Sequence, residues 1–269
     1  MQFLKNGLNF LKEIYEKKAL IYELSKRDFK QRYVGSFLGL FWAFLEPLTM
    51  MMIMWFVFSL GFKAKPSGDV PFVAYLFTGM IAFNFFQDTL GASSNVIRSY
   101  SYLVQKVKFR VSILPILKIN SALVLHIVFI TIVISILLIS GIKPSFFWFQ
   151  AIYYLAASLF LILGLSWLVS AIGVFVQDIT HIVTIFLRLG FWVTPIFWDI
   201  KMIPEQYRIF LKINPIFYIV QGYRESFIYQ VPVWNHPVIT LYFWIFASMM
   251  FFVGVFVFLR LRPHFADVL

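Results

Sequence analysis

Cysteine is absent from the 269 residues, which excludes disulfides, thiolate catalysis and thiolate-ligated metal in this chain. Charge is scarce: Asp, Glu, Lys and Arg make up 13% of the residues, where soluble domains carry about a quarter. Acids are scarcer still, 12 in all, and they are dispersed, so no carboxylate cluster offers metal binding or acid–base chemistry. The four histidines (His126, His181, His236, His264) lie far apart, without an H-E-x-x-H pattern or other paired spacing for metal. The sequence has no G-x-x-x-x-G-K-[ST] run, the phosphate cradle an ATPase needs. It shows no internal repeat, which counts against the inverted-repeat secondary transporters. Met1–Lys18 is charged throughout and has no apolar run of its own, so it does not read as a signal peptide, and the first apolar span is expected to act as an uncleaved anchor.

What the chain has in abundance is apolar sequence: 61% hydrophobic and 20% aromatic residues. Its organising stretch is Leu20–Phe62. Lys26, Arg27, Lys30 and Arg32 crowd the first third, and from Val34 to Phe62 Glu46 is the only ionisable side chain among Phe, Leu, Trp, Met and Ile. A helix rising about 1.5 Å per residue crosses a hydrocarbon core of about 30 Å with roughly 20 such residues. A basic collar therefore feeds a membrane-spanning helix. The fold expected is an all-α integral membrane protein, with six transmembrane helices at about 35–62, 71–92, 113–142, 148–176, 181–198 and 236–259. Residues 1–33 read as cytosolic amphipathic interfacial helix: Leu4, Leu8, Leu11 and Tyr15 recur at helical spacing among charges. Residues 34–269 make the six-helix domain.

The region 199–233 is neither long nor apolar enough to cross the bilayer, and Pro204, Pro215 and Pro232 cut it. Two short re-entrant helices between spans five and six fit it, where protein or water satisfies the backbone at the turn; an amphipathic pair resting on the outer surface is the alternative. Orientation follows from Lys and Arg. The N-terminal tail, the 94–112 loop and the C-terminus carry fourteen, the opposite loops seven. Both termini are therefore expected in the cytosol, in a multi-pass protein of the cytoplasmic membrane. The net charge of +11 has the same membrane cause and needs no nucleic acid.

Three places carry more than composition. Glu46 precedes Pro47 inside span one; an intramembrane acid is either functional or bonded to backbone freed at the bend. Gln177-Asp178 sits where span four turns into span five, either transmitting movement between the two or capping span five through Asp178. Arg188 lies too deep in span five for a collar residue. It faces a watery path, an anionic ligand, or Glu46 or Asp88 as a packing pair. Phe191 and Trp192 adjoin it; rings along a path suit the apolar faces of sugars, and lipid-facing packing accounts for them equally.

Four stretches together resemble the permease subunit of the ABC-2 polysaccharide and polyol-phosphate exporters, which move O-antigen, capsular glycan and wall teichoic acid. They are LSKRDFKQRYVGSFLGLFWAFLEPL (24–48), KVKFRVSILPI (106–116), GVFVQDI (173–179) and WVTPIFWDIKMIPEQYRIFLKINPIFYIVQGYRESF (192–227). The family carries Arg-Asp where this chain has Gln177-Asp178. The resemblance implies a non-enzymatic half-transporter. Two copies would form a homodimer, and two cytosolic ABC ATPase subunits would bind ATP and Mg, leaving no cofactor in this chain. It implies ATPase coupling through Arg27, Asp28, Lys30, Arg32, Tyr33, Gln177 and Asp178. Entry of a polyprenyl-linked glycan would pass Arg98, Lys106, Lys108 and Arg110, and the translocation path Glu46, Arg188, Phe191 and Trp192. An ABC-2 permease for a drug or lipid, or a membrane enzyme acting on polyprenyl-linked sugar, are the alternatives.

Overall fold

The computed structural model describes residues 17–31, 39–66, 68, 70–104 and 110–269, and all the regular structure in them is helical. In order the main helices are α1 (Lys18–Gln31), α2 (Trp42–Trp55), α3 (Phe72–Ser93), α4 (Ile113–Ile139), α5 (Gln150–Phe175), α6 (Ile179–Val193), α7 (Pro215–Arg224) and α8 (Pro237–Leu261). Wider π turns extend α2 over Phe56–Gly61 and α7 over Glu225–Tyr229.

Among the described residues four stretches are long and apolar enough to cross a membrane: Trp42–Gly61, Ile113–Ile139, Phe146–Phe175 and Pro237–Val268. Helix α6 is apolar but shorter, at 15 residues. Helix α3 has 22 residues and occupies the centre of the bundle. It buries every side chain from Ala74 to Phe83, and α2, α4, α5, α6 and α7 all pack on it. A helix surrounded by protein needs shape more than hydropathy, which is why Thr78, Asn84 and Gln87 sit on it. Helices α5 and α8 form the most extensive pair. Their backbones meet at Gly164 and Gly254, where a Cβ on Gly254 would lie 2.0 Å from the Gly164 carbonyl oxygen. Small residues at such a crossing let dispersion do what the hydrophobic effect cannot do in lipid.

One end of the bundle has its own small core. Val96, Ile97 and Tyr100 after α3, Leu114 and Leu117 of α4, Trp167 and Val174 of α5, and Phe258 and Phe265 at the C-terminus pack together there. The Trp167 indole donates to the Ser112 carbonyl at 3.1 Å. The loop after α3, the α5–α6 turn and the C-terminus therefore share that end, and α1 lies on α4 beside them.

At the other end the two pieces of 199–233 behave differently. The short helical turns Ile200–Met202, Glu205–Tyr207 and Arg208–Lys212 expose Met202, Tyr207, Ile209 and Phe210. Helix α7 instead runs inside the bundle, where Ile216 to Ile228 are buried except Gln221. It starts on Pro215, whose missing N–H costs nothing at a first turn, and the Asn214 side chain accepts from the Ile216 N–H at 3.0 Å. Its exit is gripped by α5: the Trp148 indole donates to the Phe227 carbonyl, and the Gln150 amide bonds both Val231 and Val233.

Candidate functional site: a buried carboxylate, an exposed helix face and an arginine clamp

Helix α1 is seated on α4 by a buried carboxylate. Asp28 accepts from the Tyr100 hydroxyl at 2.7 Å and from the Lys118 ammonium, and the Ser121 hydroxyl donates to the Ser25 carbonyl at 3.1 Å. Burial, then the neighbouring Asp28, holds the Tyr100 phenol well above its usual range, so it stays a neutral donor. Asp28, expected on the coupling surface, is spent inside the fold, whereas Arg27 and Lys30 on the same helix are exposed. The reason is helical phase: Ile21, Ser25 and Asp28 share the face turned to α4. Arg32 and Tyr33 lie outside the described residues, as do Lys106 and Lys108.

Arg98 is also engaged internally. Its guanidinium donates to the Val174 carbonyl at 2.8 Å, at the C-terminal, electronegative end of α5. Arg110 is half-buried; burial, and then the positive charge of Arg262, lower its pKa. Gln177 and Asp178 are exposed at the α5–α6 turn. Asp178 precedes α6 but makes no side-chain cap bond, which corrects the capping reading. Its backbone is already helical (φ −70, ψ −11), whereas a capping side chain needs the extended conformation to reach back to the first N–H groups.

The residues expected along a path are split between two helices that both pack on α3. Glu46 is exposed on α2 beside Pro47. Arg188 and Trp192 are exposed on α6, and Phe191 is half-buried against Phe83 and Phe197. Among the described residues no ion pair joins Arg188 to Glu46. Helix α6 buries only Val183 and Leu187; Ile182, Ile185, Phe186, Leu189, Trp192 and Val193 are exposed in this single chain. Next to Pro47 a cavity of about 20 Å³ is lined by Asn84, Asp88 and His126 among apolar side chains, room for about one water.

Above α6 the chain breaks at Thr194-Pro195, and Arg224 of α7 holds the break. Wholly buried, it donates to the carbonyls of Pro195 (2.6 Å), Ile196 (2.6 Å) and Tyr75 (3.3 Å). Its guanidinium lies 3.5 Å from the Tyr75 ring centre. Gly79 makes room for it, since a Cβ there would lie 2.5 Å from Nη2. The Tyr75 hydroxyl donates to the Trp198 carbonyl at 2.9 Å, tying the same break to α3. Outside this clamp opens a cavity of about 670 Å³, lined by the break, α7, Gly68, Val70 and the start of α8. Among the described residues no three His, Asp or Glu side chains gather to hold a metal.

A family profile described as ABC-2 type transporter matches residues 19–228, most of the bundle. The chain belongs to the ABC-2 type transporter family. Among curated relatives, an O-antigen export system permease protein RfbA of Klebsiella pneumoniae is 26% identical over 252 residues, covering 93% of this chain and 95% of the relative. One of the same name from Myxococcus xanthus is 27% identical over 229 residues, covering 82% and 84%. A polysialic acid transport protein KpsM of Escherichia coli is 23% identical over 217 residues, covering 78% and 81%.

In this ABC-2 chain the residues that sequence reading missed are the buried polar ones of α7. Arg224 is counted there among outer-loop cations, yet it is fully buried. The His126 imidazole bonds the Tyr223 hydroxyl at 2.8 Å, and Glu225 pairs with His236 at 3.2 Å. The signal that could have found them is the run QGYRES (221–226) within an apolar stretch, since charges in such a setting have partners or functions.

Proposed function

We propose that the chain is the transmembrane permease half of an ATP-driven exporter that moves a lipid-linked polysaccharide across the cytoplasmic membrane. The length of the likeness carries this reading: transport proteins named for two different glycans match the chain across 78% to 93% of its residues. In this reading α2, α3, α4, α5, α6 and α8 make six crossings, and both termini face the cytosol. The 199–233 region enters from the outer side, with α7 as the arm that dips into the bundle. Its buried polar side chains bond to other parts of the protein rather than to lipid, as such a segment requires.

Two copies enclose the path, with the exposed face of α6, including Arg188 and Trp192, turned toward it. Two cytosolic ABC ATPase subunits bind ATP and Mg and grip α1 through Arg27 and Lys30, together with Arg32 and Tyr33, which follow α1 in the sequence. Gln177 and Asp178 follow their movement at the exposed turn. Because α1 is bolted to α4 through Asp28 and Lys118, a push on α1 moves α4 as a rigid element. Lys106, Lys108 and Arg110 receive the pyrophosphate of the incoming glycan, as cations do for phosphates.

The test is to isolate the chain with its ATPase in lipid discs and to identify the co-purifying polyprenyl glycan by mass spectrometry. ATPase activity stimulated by small amphiphiles and indifferent to lipid-linked glycan would replace this reading with a drug or lipid permease. Charge reversal at Lys106, Lys108 and Arg110 is expected to uncouple ATP hydrolysis from export. Normal export by that variant at normal expression would reduce the surface to a lipid collar.

A further inference from the structure

The outer cavity has a use that the path residues do not account for. We infer that it is a saccharide-binding vestibule within each protomer, which takes a hydroxyl-rich segment of the glycan as it leaves; the inference rests on the glycan-exporter reading above. Its volume of about 670 Å³ falls within the range of about 300–1,000 Å³ that ligand sites occupy. Several polar side chains stand among the apolar surface that lines it. Gln221, Glu225 and Tyr229 stand along one side of α7 and its π turn and line the cavity together with Asp199 and His236. The rest of α7 is buried among apolar helices, so this stripe is the side of α7 that opens to the cavity.

The stripe is also held in place. Glu225 Oε1 takes the Gln221 amide and the His236 imidazole, each at 3.2 Å. Tyr75, behind them, is locked by Arg224 on its ring and by the Trp198 carbonyl at its hydroxyl. Groups fixed by such partners bind without first being ordered, which is what a site requires and a lipid-facing surface does not.

The chemistry of the lining selects the occupant. Two carboxylates, Asp199 and Glu225, face the cavity against one lysine, Lys201, and His236. That balance repels phosphate and phospholipid headgroups, which need a surplus of donors with positive charge. Carboxylate and amide oxygens instead accept from hydroxyl groups, the amide and imidazole N–H groups donate to ring and hydroxyl oxygens, and the exposed part of Tyr229 offers an apolar edge to a pyranose face. Neutral or amino sugars fit this set; a sugar pyrophosphate does not.

The test is photocrosslinking in cells that make the glycan, with the complete transporter and benzoylphenylalanine placed at Val231, which lines the cavity, or at Ile245, exposed on α8 as a control. Adducts are detected by periodate oxidation of sugar and hydrazide labelling. A sugar-positive adduct at Val231 at least fivefold above Ile245, and reduced at least fivefold by Gln221→Leu in a complex of unchanged assembly, is the expected result. Co-purification of polyprenyl glycan with no such adduct at Val231 overturns the vestibule and leaves the exporter. An adduct that carries lipid but no sugar, or one that Gln221→Leu does not reduce, overturns it equally. Absence of any glycan from the purified complex overturns the exporter reading and the vestibule with it.

Discussion

Arg224 offers the sharpest test of how this bundle is held. Replacing it with Met, a side chain of similar length without charge, leaves the carbonyls of Pro195 and Ile196 without their donor, while that of Tyr75, inside α3, keeps its helical bond. An orphaned buried carbonyl costs roughly 1–3 kcal/mol. The guanidinium's own desolvation penalty is relieved at the same time, as happens when a buried ion is replaced by an apolar isostere. A net loss of about 3 kcal/mol is the expected balance for the two carbonyls so orphaned. Arg224→Lys keeps the charge but not the planar fork, so it reaches fewer of them and falls between. Gly79→Ala attacks the same contact from the other side. Its Cβ, 2.5 Å from Nη2, displaces the guanidinium at a cost of about 1–3 kcal/mol. In the Arg224→Met background that clash is gone, so the added cost of Gly79→Ala is expected to fall below about 0.5 kcal/mol. The assay is the fraction of complex that remains monodisperse after heating in lipid discs, with ATPase rate and export on the same samples. Additive losses in the double variant, or a melting point for Arg224→Met equal to that of the parent, would refute the clamp.

Asp28→Asn is expected to loosen α1 from α4, because Lys118 loses its carboxylate at a half-buried site; breaking such a pair costs about 3–5 kcal/mol when fully buried and less here. Hydrogen exchange of α1 amides reads it directly, and the same measurement against pH carries a sign. The Tyr100 pKa is raised in the fold, so its contribution is whole below the ordinary tyrosine value of about 10 and is lost only as pH rises beyond that. Protection of α1 should therefore be flat from about pH 6 to pH 9 as far as Tyr100 is concerned. Arg188→Ala, at an exposed position on α6, should change stability by less than about 0.5 kcal/mol while impairing export; unchanged flux would return it to lipid-facing packing. Asp178→Ala should likewise leave α6 as stable as before, within about 0.5 kcal/mol, since no cap is lost. Its effect should appear in the coupling of ATP hydrolysis to export, and a fall in melting point instead would restore the capping role.

Several of these positions show where sequence reading stops. Residues 24–48 and 192–227 were legible through their resemblance to family blocks, because such runs are contiguous in the sequence. Asp28 and Arg27 are neighbours in one such block, yet one is buried on Lys118 and Tyr100 and the other exposed. Only the phase of α1 against α4 separates them. Arg188 and Arg224 present the same contrast more strongly: the cation inside an apparent span is exposed, and the one counted in a loop is fully buried.

By itself the sequence determined that this chain is helical, suited to a membrane and built as an ABC-2 transporter, since those properties lie in the period of its apolar residues and in contiguous motifs. The tertiary structure alone decided that α3 is the protein-wrapped centre, that α7 runs inward while the segment before it stays exposed, and that the Arg224 clamp borders a cavity lined partly by polar side chains. The reason is physical. Hydropathy tells a helix that it must leave water, but whether it then meets lipid or other helices is set by residues far apart in the chain, such as Tyr75, Pro195 and Arg224.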